Sequence, residues 1–155
     1  MLTLYFDGLF RPLDESNTLK GRIPGIMCYG WLIFRDDVEI AHGFGGCIDV
    51  RGANSNVAEF LALIDGLEAL DDMGANRKRI KIIGDARTVI DQMCGVSAVN
   101  ASSIMRYYRR ARRLARRFPR LEWEWTPRRC NRAADHLTRR ALQRIHEDRA
   151  NLDDL

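Results

Sequence analysis

The chain has 155 residues, 46% of them hydrophobic, and a formal net charge of +4. That length suits about one domain, large enough to bury a core without a disulfide or structural metal. No apolar run approaches membrane-spanning length, and the opening MLTLYFDG lacks the basic start and small-residue cleavage site of a signal peptide, so the expectation is a cytoplasmic protein with no membrane partner.

The chain opens with LTLYFDG, in which Leu2, Leu4 and Phe6 alternate with Thr3, Tyr5 and Asp7; that period predicts a strand. Residues 10 to 25 hold two prolines and several turn formers and read as a loop. A hairpin is predicted next, with strands over 29 to 35 and 38 to 46 and a turn at Asp36-Asp37. A glycine-rich connection leads to a helix over about 56 to 73, stopped by Gly74. RIKIIGD reads as a short strand buried on both faces. A helix over 87 to 94 stops at Gly95, and a second, over about 102 to 118, ends at Pro119. RLEWEWTP alternates Leu121, Trp123 and Trp125 with polar residues and predicts a strand whose tryptophans face the core. A last helix runs from near Asn131 to about 148, before a flexible tail over 150 to 155. The four cysteines, Cys28, Cys47, Cys94 and Cys130, form no Cys-x-x-Cys pair and read as buried or half-buried thiols in a reducing compartment.

This order predicts a single α/β domain over residues 1–155. Its sheet is mixed and five-stranded, three antiparallel strands followed by two parallel ones, with helices packed against it.

Four acids occupy marked places. Asp7 ends the first strand and precedes Gly8. Glu59 sits one turn into the first long helix, at the margin of its apolar arc. Asp85 follows a central strand at its carboxyl end, where ligand sites of open α/β sheets lie. Asp135 lies near the start of the last helix. Each has an ordinary explanation. Asn56 and Glu59 could form a capping box, Asp7 could be an exposed strand-end acid, Asp85 could cap a helix, and Asp135 could pair with Arg139. Converging in one place, the four would repel and raise one another's pKa, and would tolerate that only around hard cations such as magnesium. Between 106 and 120 the chain also carries eight arginines and no acid. That run reads either as a solvated helix face or as a surface for a polyanion.

YFDG, PGIMCYGWLIF, NSNVAEFLALIDGLEAL, IKIIGDARTVIDQMCG and WEWTPRRCNRAADHLTRRAL follow one another in an order that resembles type 1 ribonuclease H, in the compact branch without the extra basic protrusion. The resemblance spans most of the chain. It implies that Asp7, Glu59, Asp85 and Asp135 bind two magnesium ions, with manganese as a substitute. Asp7 would bridge the ions, Asp135 would complete the water-activating site, and Glu59 with Asp85 would hold the other ion. It further implies that Gly8 and Asn56 lie along an RNA strand; Ser55 and Asn131 are candidate substrate contacts beside them, and Arg128 or Arg129 is expected to contact phosphate in place of the family's loop histidine. The implied reaction is hydrolysis of RNA in an RNA–DNA hybrid, giving 5′-phosphate and 3′-hydroxyl ends, by a protein expected to be monomeric. Rival readings are the same chemistry on double-stranded RNA or DNA, and a non-catalytic nucleic-acid-binding module. Two departures stand out. The loop before the last helix, TPRRCN, carries no histidine, and the family's GDS is GDA, with Ala86.

Overall fold

The computed structural model describes residues 1–13, 25–49 and 53–154. Five strands form one sheet: β1 (Leu2–Pro12), β2 (Gly25–Arg35), β3 (Val38–Asp49), β4 (Ile80–Gly84) and β5 (Leu121–Trp125). Their order is β3-β2-β1-β4-β5. The first three strands pair antiparallel, and β4 and β5 join β1 in parallel, as the sequence predicts. Helices α1 (Ser55–Asp72), α2 (Arg87–Cys94), α3 (Ser102–Ala115) and α4 (Arg132–Asp153) complete the fold.

Strand alternation sends side chains to two cores. Leu2, Leu4, Phe6, Met27, Trp31 and Ile33 pack with α1 and α3, while Ile26, Cys28 and Leu32 pack with α4. Phe6, Phe60, Leu4, Leu63 and Leu67 are fully buried. Each such side chain contributes roughly 1.5–3 kcal/mol by leaving water. Trp31 Nε1 donates to Asp65 Oδ2 at 2.7 Å, which satisfies the indole and pins α1 to β2.

Several boundaries differ from the sequence reading. β1 runs on through Phe10, Arg11 and Pro12. Its partner β4 ends where Gly84 meets Phe6, so beyond that point β1 pairs with β2 alone. Proline is tolerated at such an edge because no ladder hydrogen bond is lost. The loop expected over 10 to 25 is shorter by the strand residues at each end, and residues 14–24 lie outside the described residues. α4 extends to Asp153, so most of the expected tail is helical. Trp125 is 37% exposed at the sheet edge, not a core residue; Trp123 is half-buried. Of the cysteines only Cys28 is buried, and all four are free thiols. No helix among the described residues is long and apolar enough to cross a membrane.

The start of α1 carries Glu59. Its N-cap is Asn54, whose Oδ1 accepts from Val57 N at 2.8 Å. A capping box from Asn56 to Glu59 is therefore not what holds this turn. β1 and α1 meet closely at Gly8, where a Cβ would stand 2.3 Å from the Ala58 carbonyl carbon and from Glu59 N. Only glycine allows this approach, and the approach brings Glu59 beside Asp7. Gly8→Ala is expected to force α1 away from β1, to lower stability by about 1–3 kcal/mol in denaturant titration and to weaken manganese binding in parallel. An unchanged midpoint and affinity would show the contact to be adaptable.

Candidate active site at the end of the central strands

The premature end of β4 opens the sheet beside Asp7. There Asp7, Glu59 and Asp85 each offer a carboxylate oxygen, and these oxygens lie within 4.8 Å of one another. They line a cavity of about 370 Å³ shared with Gly8, Ser55, Asn56, Arg128, Asp135 and Arg139. Asp7 is 4% and Glu59 6% exposed. The Oε2 atom of Glu59 is buried without a hydrogen-bond partner. Such an oxygen is costly to leave unsatisfied.

Burial is the largest cause that raises Asp7, to about 7; the charges of Asp85 and Asp135 add to it, while a hydrogen bond with Glu59 and the nearby Arg128 oppose it. Burial also pushes Glu59 well above the usual carboxylate range, reinforced by the charges of Asp7 and Asp85 and opposed by the Gly8 amide. Three crowded carboxyl groups, one carrying an orphaned oxygen, make a donor set of hard oxygens that suits a divalent cation.

Asp135 stands slightly apart. It lines the cavity, but Arg139 Nε lies 3.3 Å from its Oδ2, the pairing that its i,i+4 spacing allows. It is not among the three acids that meet within 4.8 Å. Asp85 does not cap α2, whose N-cap is Ala86 without a side-chain hydrogen bond. Instead its Oδ2 accepts from Asn131 Nδ2 at 3.1 Å.

Asn131 is 2% exposed, and its Nδ2 also donates to the Phe6 carbonyl at 2.9 Å. It sits behind the acids and ties the residue preceding Asp7 to Asp85, where the sequence reading has it on the substrate. Arg128 lines the cavity, whereas Arg129 is exposed and outside its lining. Leu9, Phe10 and Arg11 also line it, and the sequence reading missed them because it ended the first strand too early. At the rim, Trp125 Nε1 donates to the Asp85 carbonyl at 3.1 Å, and Arg87 stacks 4.0 Å from the Trp125 ring centroid.

A mixed sheet in this order, with acids gathered where its central strands end, defines a ribonuclease H-like domain. Residues 29–141 match the model of the reverse transcriptase-like family, and the chain belongs to that family. Its fold superimposes on the N-terminal RNase H domain of the bifunctional protein Rv2228c from Mycobacterium tuberculosis with a TM-score of 0.78 at 29% identity, covering 95% of this chain and 96% of that one. RNase H1 from the archaeon Halobacterium salinarum gives a TM-score of 0.73 at 33% identity, covering 92% and 97%. In sequence, the Halobacterium salinarum ribonuclease HI is 35% identical over 140 residues, 89% of this chain and 62% of its own length. The mycobacterial protein is 36% identical over 90 residues, 58% of this chain and 24% of its own length. LC11-RNase H1, solved with an RNA/DNA hybrid, shares the fold with a TM-score of 0.78 at 23% identity, covering 94% and 99%.

A carboxyl group whose pKa rises on folding stabilises the fold below its ordinary pKa, and that stability is lost as pH rises through the folded value. For Asp7 the window runs from roughly 4, its ordinary value, up to about 7. Metal-free protein should therefore lose melting temperature across this range. Asp7→Asn should be the more stable form at pH 8 in EDTA, with the gap closing towards pH 5. Parallel curves for the two proteins would show that Asp7 carries no such cost.

Proposed function

We propose that the chain is a divalent-metal-dependent endoribonuclease that hydrolyses the RNA strand of RNA–DNA hybrids and leaves 5′-phosphate and 3′-hydroxyl ends. The buried meeting of Asp7, Glu59 and Asp85 carries this reading. The likeness to ribonuclease HI of Halobacterium salinarum supports it. Carboxylates so crowded destabilise one another unless neutralised, and a cation does that while leaving coordination positions for water and phosphate.

In this reading Asp7, Glu59 and Asp85 hold the cations, and Asp135 completes the set on exchanging Arg139 for one of them. Held by these carboxylates, two magnesium or manganese ions would supply an activated water on one side of the phosphodiester and would neutralise the leaving oxygen on the other. The remaining work belongs to side chains around the cavity. Asn131 holds Asp85 at a fixed angle to β1, as outer hydrogen bonds do for metal-ligating carboxylates. Arg11, Arg128 and Arg139 surround the acids with positive charge and meet phosphate oxygens. Gly8, Ser55 and Asn56 form the wall along which the RNA strand lies. Discrimination comes from the wide minor groove and its 2′-hydroxyl groups, without reading base sequence.

Labelled RNA–DNA hybrid, double-stranded RNA and double-stranded DNA, compared side by side with magnesium or manganese, test the reading. The RNA strand of the hybrid should be cut, and EDTA should stop the reaction. Glu59→Gln and Asp135→Asn should each lower the rate on the order of a thousandfold with melting behaviour preserved. A well-folded wild type that cuts no duplex with either metal would overturn the assignment, and preferential cutting of another duplex would overturn the substrate.

A further inference from the structure

The arginines of α3 divide into two kinds. Ile104, Ala111 and Ala115 are its buried residues and define the inward face. On one flank, Arg110 pairs with Glu68 and Arg117 with Asp71, both acids of α1. Towards the other flank, Arg112 Nη1 donates to the Met93 carbonyl at 3.0 Å. The crest is different. At about 100° per residue, Arg109, Arg113 and, at the C-cap, Arg116 fall within roughly 40° of the direction opposite Ala111; Arg106 shares that direction, but its Nη2 donates to the Tyr107 hydroxyl at 2.7 Å. Arg120 follows in the turn before β5. Arg109, Arg113, Arg116 and Arg120 are all exposed, and among the described residues none of the four has a hydrogen bond or ion pair from its side chain.

This arrangement is unfavourable for the isolated helix, because like charges three and four residues apart repel. No acid between 106 and 120 offsets it. The fold thus uses its available carboxylates on the flanks and leaves the crest with four free guanidinium groups. The Cβ atoms of helix residues at this spacing stand about 5–6 Å apart. Each presents a fork that takes phosphate oxygens in pairs. None of the four lines the acid cavity, so they are not the contacts that place a phosphate for cleavage.

We propose that the α3 crest is a second nucleic-acid surface, which binds the phosphodiester backbone of a segment lying outside the acid cavity. The inference rests on the reading that this chain acts on nucleic acid. The segment is the same duplex continuing past the cavity, and a separate strand is the alternative that the test excludes. Such contacts hold the protein on its substrate through charge and carry no sequence preference.

The test is a salt titration of binding in EDTA, where no cleavage occurs. The probes are RNA–DNA hybrids one and three helical turns long and a single-stranded RNA. Wild type is compared with a variant in which Arg109, Arg113, Arg116 and Arg120 are glutamine. A control replaces Arg35, Arg140, Arg144 and Arg149 by glutamine, the same charge change scattered along β2 and α4 away from α3. Each lost phosphate contact lowers the slope of log affinity against log salt by about 0.9, so the crest variant should lose roughly 3 to 4 from the slope and at least about tenfold in affinity at low salt. The scattered variant should lose less than half as much. The corresponding four-lysine variant should keep the slope.

Loss on the long hybrid alone supports the proposal. Equal loss on the short hybrid or the single strand would overturn it, because neither is a duplex that continues past the cavity. An unchanged slope, equal losses in the crest and scattered variants, or crest-dependent binding to phosphatidylserine vesicles without any effect on nucleic acid would overturn the proposal. A protein that cleaves hybrids with no crest effect refutes this inference alone. A crest-dependent slope in a protein that cleaves nothing refutes only the catalytic reading.

Discussion

Carboxyl groups repel one another, and they do so most where water is scarce. Asp7, Glu59 and Asp85 bring oxygens within 4.8 Å of each other in a site where the first two are nearly closed to solvent. A fold gains nothing by holding three such groups together for their own sake. The cost appears as carboxyl groups pushed towards their neutral forms and as a buried Glu59 oxygen that nothing satisfies. A bound cation would offset these costs, because carboxylate oxygens would gain a partner and their charge would be balanced. The rest of the molecule is arranged to hold the acids in that position.

The scaffold does this with few devices. β4 stops one residue short of Asp7 in register, and its chain continues directly into Asp85. The two aspartates therefore stand side by side, Asp7 within β1 and Asp85 just past the end of β4. α1 reaches them from the sheet face because Gly8 has no side chain to keep it away. Asn131, at the entry to α4 on the opposite face, hydrogen-bonds both β1 and Asp85 through one amide nitrogen. Elements from both layers and from far-separated parts of the chain thus meet at a few atoms. A small displacement of any one of them would be felt at the carboxylates.

Much of this was legible in the sequence, and the reason is periodicity. The alternation of LTLYFDG, the helical spacing of Phe60, Leu63, Ile64 and Leu67, and glycine at 74 and 95 each mark an element through local physics alone. Gly74 and Gly95 both adopt positive φ where their helices end. The parallel placement of the last two strands followed from their helical crossover connections. What was not legible depended on neighbours. Pro12 signals a loop by itself and becomes acceptable in a strand only because β4 has already ended beside it. Trp125 alternates with Glu124 like a core residue, yet β5 is the last strand of the sheet, and its end is left uncovered. Asn131 read as a polar residue near a substrate, because nothing local tells a buried tether from an exposed contact. Asp135 satisfied two readings at once: it lines the acid cavity and it pairs with Arg139. The arginine run was ambiguous until Glu68 and Asp71 of α1 separated its paired flank from its free crest.

The account divides electrostatics between two surfaces. One is a concentrated negative pocket rimmed by Arg11, Arg128 and Arg139, and the other is a positive ridge on α3. Everything proposed for the first surface depends on whether cations enter it. The most direct measurement is anomalous scattering from a crystal soaked in manganese. The account predicts metal peaks bounded by the carboxylates of Asp7, Glu59 and Asp85, with Glu59 Oε2 among the ligands and Asp135 drawn off Arg139. Full-occupancy manganese found elsewhere on the protein, with these three side chains unmoved and metal-free, would contradict it.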